Sequence, residues 1–298
     1  MASVRGTAMR AQIRLLRPLL KNFDIEAERK GQDAIGALGA GVLAGRVEYR
    51  PESFENFSAE WAIPASGAKR AILYLHGGAY VAGSLPYAKG FGGILADLTG
   101  RSALCIGYRL APEHPFPAAL DDALEAYERV LEKYAPRDIA VIGESAGGGL
   151  IFCLMQALKQ KKLPLPSGIV ALSPWADLSC CYPSYVTNAE RDPSLFESWL
   201  RACAKHYAGN DVKNPLVSPV YGDLSQLPPT LIFAGSYELL MDDTVILANK
   251  LRAEGVRCEY HISQGMWHVY VLFGIPEARR ALTRIRDFLN RQCERADE

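Results

Sequence analysis

The sequence predicts an α/β fold: a mainly parallel sheet of eight strands with helices on both faces. Three observations carry that expectation. From residue 70 onward, short and nearly continuous apolar runs alternate with helical patterns, as strands buried on both faces require. The 298 residues, 49% of them apolar, supply a core of the size a large α/β unit needs. And a glycine-rich turn, VIGESAGGGL at 141–150, joins a strand pattern directly to a helical one.

The elements follow in order. RVEYR (46–50) and ENFSAEWAIP (55–64) predict an antiparallel hairpin at one edge of the sheet. RAILYLH (70–76) and ALCIGY (103–108) read as strands, and FPAALDDALEAYERVLEKY (116–134) as a helix. DIAVIGE (138–144) is a strand, followed by a buried helix over 146–160. GIVALS (168–173) and TLIFAG (230–235) are two more strands. A helix over about 242–254 stops at Gly255, and VRCEYHI (256–262) alternates like a last strand. PEARRALTRIRDFLNRQCE (276–294) closes as a helix that starts on Pro276. Residues 1–45 and 180–228 stand outside this alternation, the second containing the helical pattern SLFESWLRACAKHYAG (194–209). They are expected to lie over the sheet as a lid, leaving 46–179 and 229–298 as the body.

Charge is balanced, 33 basic against 33 acidic side chains. That leaves no footprint for nucleic acid or anionic lipid and points to a small-molecule ligand. Seven cysteines, with no CxxC, argue against a disulfide framework or a zinc site. Most sit in apolar patterns as small core residues, and a reducing, cytoplasmic setting fits them. No stretch approaches the roughly 18 consecutive apolar residues of a membrane span. The N-terminal segment lacks the apolar centre of a secretory signal. On a helix, Arg10, Arg14, Arg17 and Lys21 form one stripe there and Met9, Ile13, Leu16 and Leu20 another. The segment is expected to pack on the body by its apolar stripe, with Pro18 kinking or ending the helix. A membrane-touching surface helix and a transit peptide are the alternatives.

Ser145 sits at the carboxyl end of a strand and the start of a helix, where open α/β sheets place their ligands. G-x-S-x-G at that junction forces a tight turn that lifts the hydroxyl out of the sheet. Gly143 and Gly147 are expected to be small because strand and helix backbones approach there. After another strand comes LYLHGGAY (73–80), whose Gly77 and Gly78 N–H groups, with that of Ala146, are suited to hold an oxyanion. A hydroxyl nucleophile needs a base and the base an orienting acid. Of the five histidines, His268 follows the last strand on a loop, as the order serine, acid, histidine requires. His76 reads as a loop brace and His261 as a strand residue. The acid candidates are Glu238, Asp242 and Asp243. Glu238 is nearest the strand end, and a place at the start of the next helix, as caps and against its dipole, accounts for the other two.

The set HGGAY (76–80), YRLAPEHPFPAALDD (108–122), GESAGG (143–148), SPWADLS (173–179) and the ELLMD-then-histidine ending resembles the hormone-sensitive-lipase-like carboxylesterases. The likeness runs from about residue 46 to the end. It implies an α/β-hydrolase fold with a helical cap drawn from the N-terminus and an insertion after the sixth strand, the places of 1–45 and 180–228. It implies Ser145 as nucleophile, His268 as base, and Gly77, Gly78 and Ala146 as the oxyanion hole. There are two departures. Glu238 stands where the family usually has Asp, so Asp242 stays as the alternative acid. HGGA replaces HGGG, which puts a methyl at Ala79 outside the expected donors. Tyr80, Tyr182, Trp199 and Trp267 are candidates to line the substrate pocket, with core or cap packing as the competing reading for each. Arg109, Glu113 and His114 are expected to form a buried brace, and Glu144 to anchor the HGGA loop. The expected activity is hydrolysis of short-chain acyl esters, with amide hydrolysis by the same triad and non-catalytic ligand binding as alternatives. The chemistry needs no metal or organic cofactor. A homodimer is expected from the resemblance alone.

Overall fold

The computed structural model describes residues 2–18 and 24–296. Its sheet has eight strands: β1 (Val47–Ser53), β2 (Ser58–Pro64), β3 (Ala71–Leu75), β4 (Ser102–Gly107), β5 (Ile139–Glu144), β6 (Gly168–Leu172), β7 (Thr230–Gly235) and β8 (Cys258–Ser263). They lie in the order β1-β2-β4-β3-β5-β6-β7-β8. β1, β2 and β4 pair antiparallel, and all pairs from β4 to β8 are parallel. The expected edge hairpin and buried parallel body are both present.

The alternation of side chains along β3 explains why the sheet needs cover on both faces. Ala71, Leu73 and Leu75 join one apolar cluster, while Ile72 and Tyr74 join the other. The first cluster is completed by α4 (Ala118–Lys133), α5 (Ala146–Lys161) and α8 (Met241–Ala253). The second is completed by α3 (Leu85–Thr99) and α9 (Pro276–Ala296).

α3 is absent from the sequence reading. Gly90, Gly92 and Gly93 break its helical pattern, and glycine costs about 1 kcal/mol per residue in a helix interior. Packing pays that cost back. α2 (Ile25–Val42) crosses α3 so closely that a Cβ on Gly90 would lie 2.8 Å from the Cα of Gly36.

α1 (Val4–Leu16) ends just before Pro18 and packs Met9 and Ile13 against the second cluster, as the apolar stripe predicts. Leu16 stays exposed, and Leu20 and Lys21 lie outside the described residues. Arg10 donates to the Gly265 carbonyl at 2.6 Å and stacks over Tyr237. In the second extra segment, α6 (Ser184–Thr187) and α7 (Glu197–Ala208) pack into the first cluster through Tyr185, Leu200, Cys203 and Tyr207. Among the described residues, no helix is long and apolar enough to cross a membrane. Cys105, Cys153, Cys180, Cys203 and Cys258 are buried free thiols, and Cys181 is an exposed one.

Topology brings the chemistry together. β3 lies between β4 and β5, so the loop after Leu75 emerges beside the loop after Glu144. β6, β7 and β8 continue in parallel and deliver Ser173, Glu238 and His268 to the same carboxyl edge.

Candidate active site

Ser145 caps β5 at φ 55°, a left-handed conformation that a non-glycine residue holds only when its surroundings enforce it. The enforcement is backbone against backbone. A Cβ on Gly147 would run into the carbonyl oxygens of Leu75 and His76, and one on Gly143 into the carbonyl of Gly147. Gly148 and Gly149 stand against Pro174 and the Trp175 carbonyl in the same way. Close approach is therefore why four glycines cluster at this turn. Gly147→Val is expected to destabilise by about 4 kcal/mol or more, because neither carbonyl has a flexible side chain to move aside. A thermal melt within about 2 °C of wild type would contradict this account.

The hydroxyl of Ser145 lies 2.9 Å from Nε2 of His268. On the far side of the ring, Nδ1 stands 3.7 Å from Oε2 of Glu238. That distance suits an ion pair and is long for a hydrogen bond. All three side chains are secluded, with Ser145 7% and His268 6% exposed and Glu238 fully buried. Burial alone would lower the His268 pKa. The Glu238 carboxylate, helped by Asp192 and Glu144, outweighs burial and raises it above the ordinary imidazole value. Burial in turn raises the Glu238 carboxyl, against the lowering pull of His268 and Ser173.

The two other acid candidates point elsewhere. Asp242 accepts the Ser184 N–H at 2.8 Å. Asp243 accepts those of Ala176 and Asp177 at 3.1 and 2.9 Å. Neither caps its own helix by a side-chain hydrogen bond; both stand in the first turn of α8, where the helix dipole favours acids, and tie loops to it.

Glu144 is buried and accepts the Gly77 N–H at 2.6 Å and the Tyr74 hydroxyl at 3.2 Å. It anchors the HGGA loop, as expected, and thereby corrects the expectation for Gly77. That amide is spent on Glu144 and is not free for an oxyanion. The N–H groups of Gly78, Ala79 and Ala146 make no such bond among the described residues. The loop turns sharply here: Gly78, Ala79 and Tyr80 have φ of 108°, 53° and 64°, held by Val81 and Ala82 N–H groups donating to the Gly78 carbonyl. His76 braces the loop from behind, stacked on Tyr108 at 4.1 Å with its pKa pushed down to about 4 by burial.

Arg109, Glu113 and His114 do not form the expected buried brace. Arg109 makes a two-pronged pair with Asp122, while Glu113 and His114 are exposed. Glu113 instead receives Arg29 of α2, which also donates to the carbonyls of Val81 and Ala111. This fastens the N-terminal segment to the strained loop.

For two of the candidate substrate aromatics the structure favours the packing reading. Trp267 is fully buried in the cluster beneath α9, edge-on to Phe273 at 5.1 Å. Tyr80 is buried face to face with Tyr207 at 3.9 Å. Tyr182 and Trp199, both on the second extra segment, are half-buried. The sequence reading missed three residues that hold the acid turn. Ser173 donates to Glu238 Oε2 at 2.7 Å. Asn188 donates to the Glu238 carbonyl at 2.9 Å, and Asp192 accepts the Leu239 N–H at 3.0 Å. Ser173 carries a legible signal, since it ends a strand inside SPWADLS. Asn188 and Asp192 lie in an irregular stretch and carry none.

The α/β-hydrolase fold family matches residues 72–272. Over 277 residues the chain is 39% identical to an acetyl-hydrolase of Streptomyces hygroscopicus, covering 90% of this chain and 91% of that protein. It is 35% identical over 247 residues to an esterase of Acinetobacter venetianus, covering 81% and 82% of the two. The crystal structure of EstE5 soaked with p-nitrophenyl butyrate matches at a TM-score of 0.92 and 34% identity, over 98% of this chain and 100% of that one. An esterase from the bacterial hormone-sensitive lipase family matches at 0.91 and 33%, with the same coverage. The chain belongs to the α/β-hydrolase fold family. Within that family it is a hormone-sensitive-lipase-like carboxylesterase, a carboxylic ester hydrolase.

Proposed function

We propose that the chain is a serine carboxylesterase that hydrolyses short-chain acyl esters through an acyl-enzyme. The observation that carries this reading is the 2.9 Å contact between the Ser145 hydroxyl and His268 Nε2, with Glu238 behind the ring. His268 takes the serine proton as Oγ attacks the ester carbonyl, and later delivers it to the leaving alcohol. Water then repeats the cycle on the acyl-enzyme. Glu238 holds the tautomer and offsets the imidazolium charge, and the 3.7 Å gap shortens once that charge forms. The oxyanion is held by the N–H groups of Gly78, Ala146 and Ala79, the loop amides left without an acceptor among the described residues.

Residues 1–45 and 180–228 serve as the cap, and Tyr182 and Trp199 are its substrate-facing aromatics. The short-chain preference is supported by the seclusion of Ser145 and by relatives named acetyl-hydrolase and ethyl acetate hydrolase. The test is turnover of p-nitrophenyl butyrate, p-nitrophenyl palmitate and a butyryl anilide. Butyrate is expected to exceed palmitate by on the order of 100-fold in kcat/KM. Comparable rates on the two esters would overturn the short-chain preference, and anilide turnover matching the ester would make the enzyme an amidase.

A further inference from the structure

Ser173 stands between the acid and the base. It directly follows β6, whose Leu172 pairs with Glu144 on one side and Phe233 on the other. Its hydroxyl accepts the Val269 N–H at 3.0 Å and lies 2.7 Å from Glu238 Oε2. A hydroxyl has one proton, and with Val269 as donor that proton goes to the carboxylate. The side chain is 1% exposed, so water does not substitute for either bond.

The backbone adds an independent argument. Ser173 sits at φ 48°, a conformation glycine adopts freely and serine only at a cost. Glycine would suit this turn better, so what serine brings is the hydroxyl. Glu238 needs it for a plain reason. It has one more rotatable bond than aspartate, and its Oε1 has no partner among the described residues. The Ser173 hydroxyl is the anchor that takes up this extra freedom.

We infer that Ser173 is a positioning residue of the triad: with its oxygen held by the Val269 N–H, its proton aims Oε2 of Glu238 at His268. The inference rests on the triad assignment above. It is tested with Ser173→Ala and Ser173→Gly, each in the wild-type and Glu238→Gln backgrounds. The readouts are kcat and KM on p-nitrophenyl butyrate, thermal unfolding, and the low-field proton resonance of His268 Nδ1–H.

In the wild-type background kcat is expected to fall about 10- to 100-fold, the scale of a small misplacement of a catalytic group. KM stays within about threefold, because the substrate does not touch Ser173. Ser173→Gly is expected to melt within a few degrees of the wild type, since relief of the positive φ partly offsets the two lost hydrogen bonds. It also moves or broadens the Nδ1–H resonance. In Glu238→Gln the same substitutions cost less than about threefold, because the carboxylate they act through is gone. Full kcat in Ser173→Gly, or equal losses in both backgrounds, would reduce Ser173 to a core-filling residue. Those results beside a crippled Glu238→Gln would overturn only the role of Ser173. A fully active Glu238→Gln would instead remove the triad reading, and this inference with it.

Discussion

Ser145→Ala is expected to lower p-nitrophenyl butyrate turnover by about five to six orders of magnitude. The hydroxyl is the only group lost, and in the proposed mechanism its oxygen bonds to the acyl group. Residual hydrolysis comes from substrate binding and the oxyanion donors, which are untouched. The fold should barely notice. The strained turn at φ 55° is imposed by the carbonyls of Leu75, His76 and Gly147, and alanine sits there as serine does. Loss of the single hydrogen bond to His268 costs about 1 kcal/mol, so the melting temperature stays within a few degrees. Intact turnover in this variant would remove the acyl-enzyme from the mechanism. A collapsed melting curve would mean that the hydroxyl, and not the glycine-lined turn, supports the elbow.

The second large effect is at Glu238. Glu238→Gln is expected to lower kcat by about 10³- to 10⁴-fold, as loss of the triad acid does where the tautomer is no longer held. Its pH profile carries a sign that a simple structural defect would not reproduce. His268 acts as a base only when neutral, so kcat/KM falls as the pH drops through its pKa. In the wild type that pKa is raised by the Glu238 carboxylate, and the ascending limb therefore lies above the ordinary imidazole value. Glutamine removes the charge and leaves burial, which favours neutral imidazole. The limb should move to lower pH, and the variant's deficit should shrink in acid. Asp242→Asn is the control. Its carboxylate bonds the Ser184 amide away from the ring, so activity and limb should both stay in place. A limb that moves in Asp242→Asn and not in Glu238→Gln would transfer the acid to Asp242.

Sequence periodicity located the strands because burial on both faces leaves nearly continuous apolar runs, as in LYL and AVIG. It located Gly143 and Gly147 because only a missing Cβ permits the backbone approach at the elbow. Helix α3 escaped notice for the complementary reason. Its glycines read as breakers along the chain, and their benefit exists only where α2 and β4 press against them.

At the site, residue types and chain order singled out Ser145 and His268 and left the acid open between Glu238 and Asp242; the structure brings Glu238, not Asp242, beside His268. Residue types and order were silent on which hydrogen bond each polar group makes. The Gly77 amide goes to Glu144, Tyr80 stacks on Tyr207, and Trp267 turns into the core. Those outcomes depend on partners far away in the chain, 67 residues for the Gly77–Glu144 bond and 65 for Ser173–Glu238. The sequence by itself determined the fold class and supplied the candidates for the reacting groups, because both follow from local pattern. Tertiary structure alone decided that the Gly77 amide bonds Glu144 and that the Ser173 hydroxyl bonds Glu238, because each such group has several chemically adequate partners and only packing chooses among them.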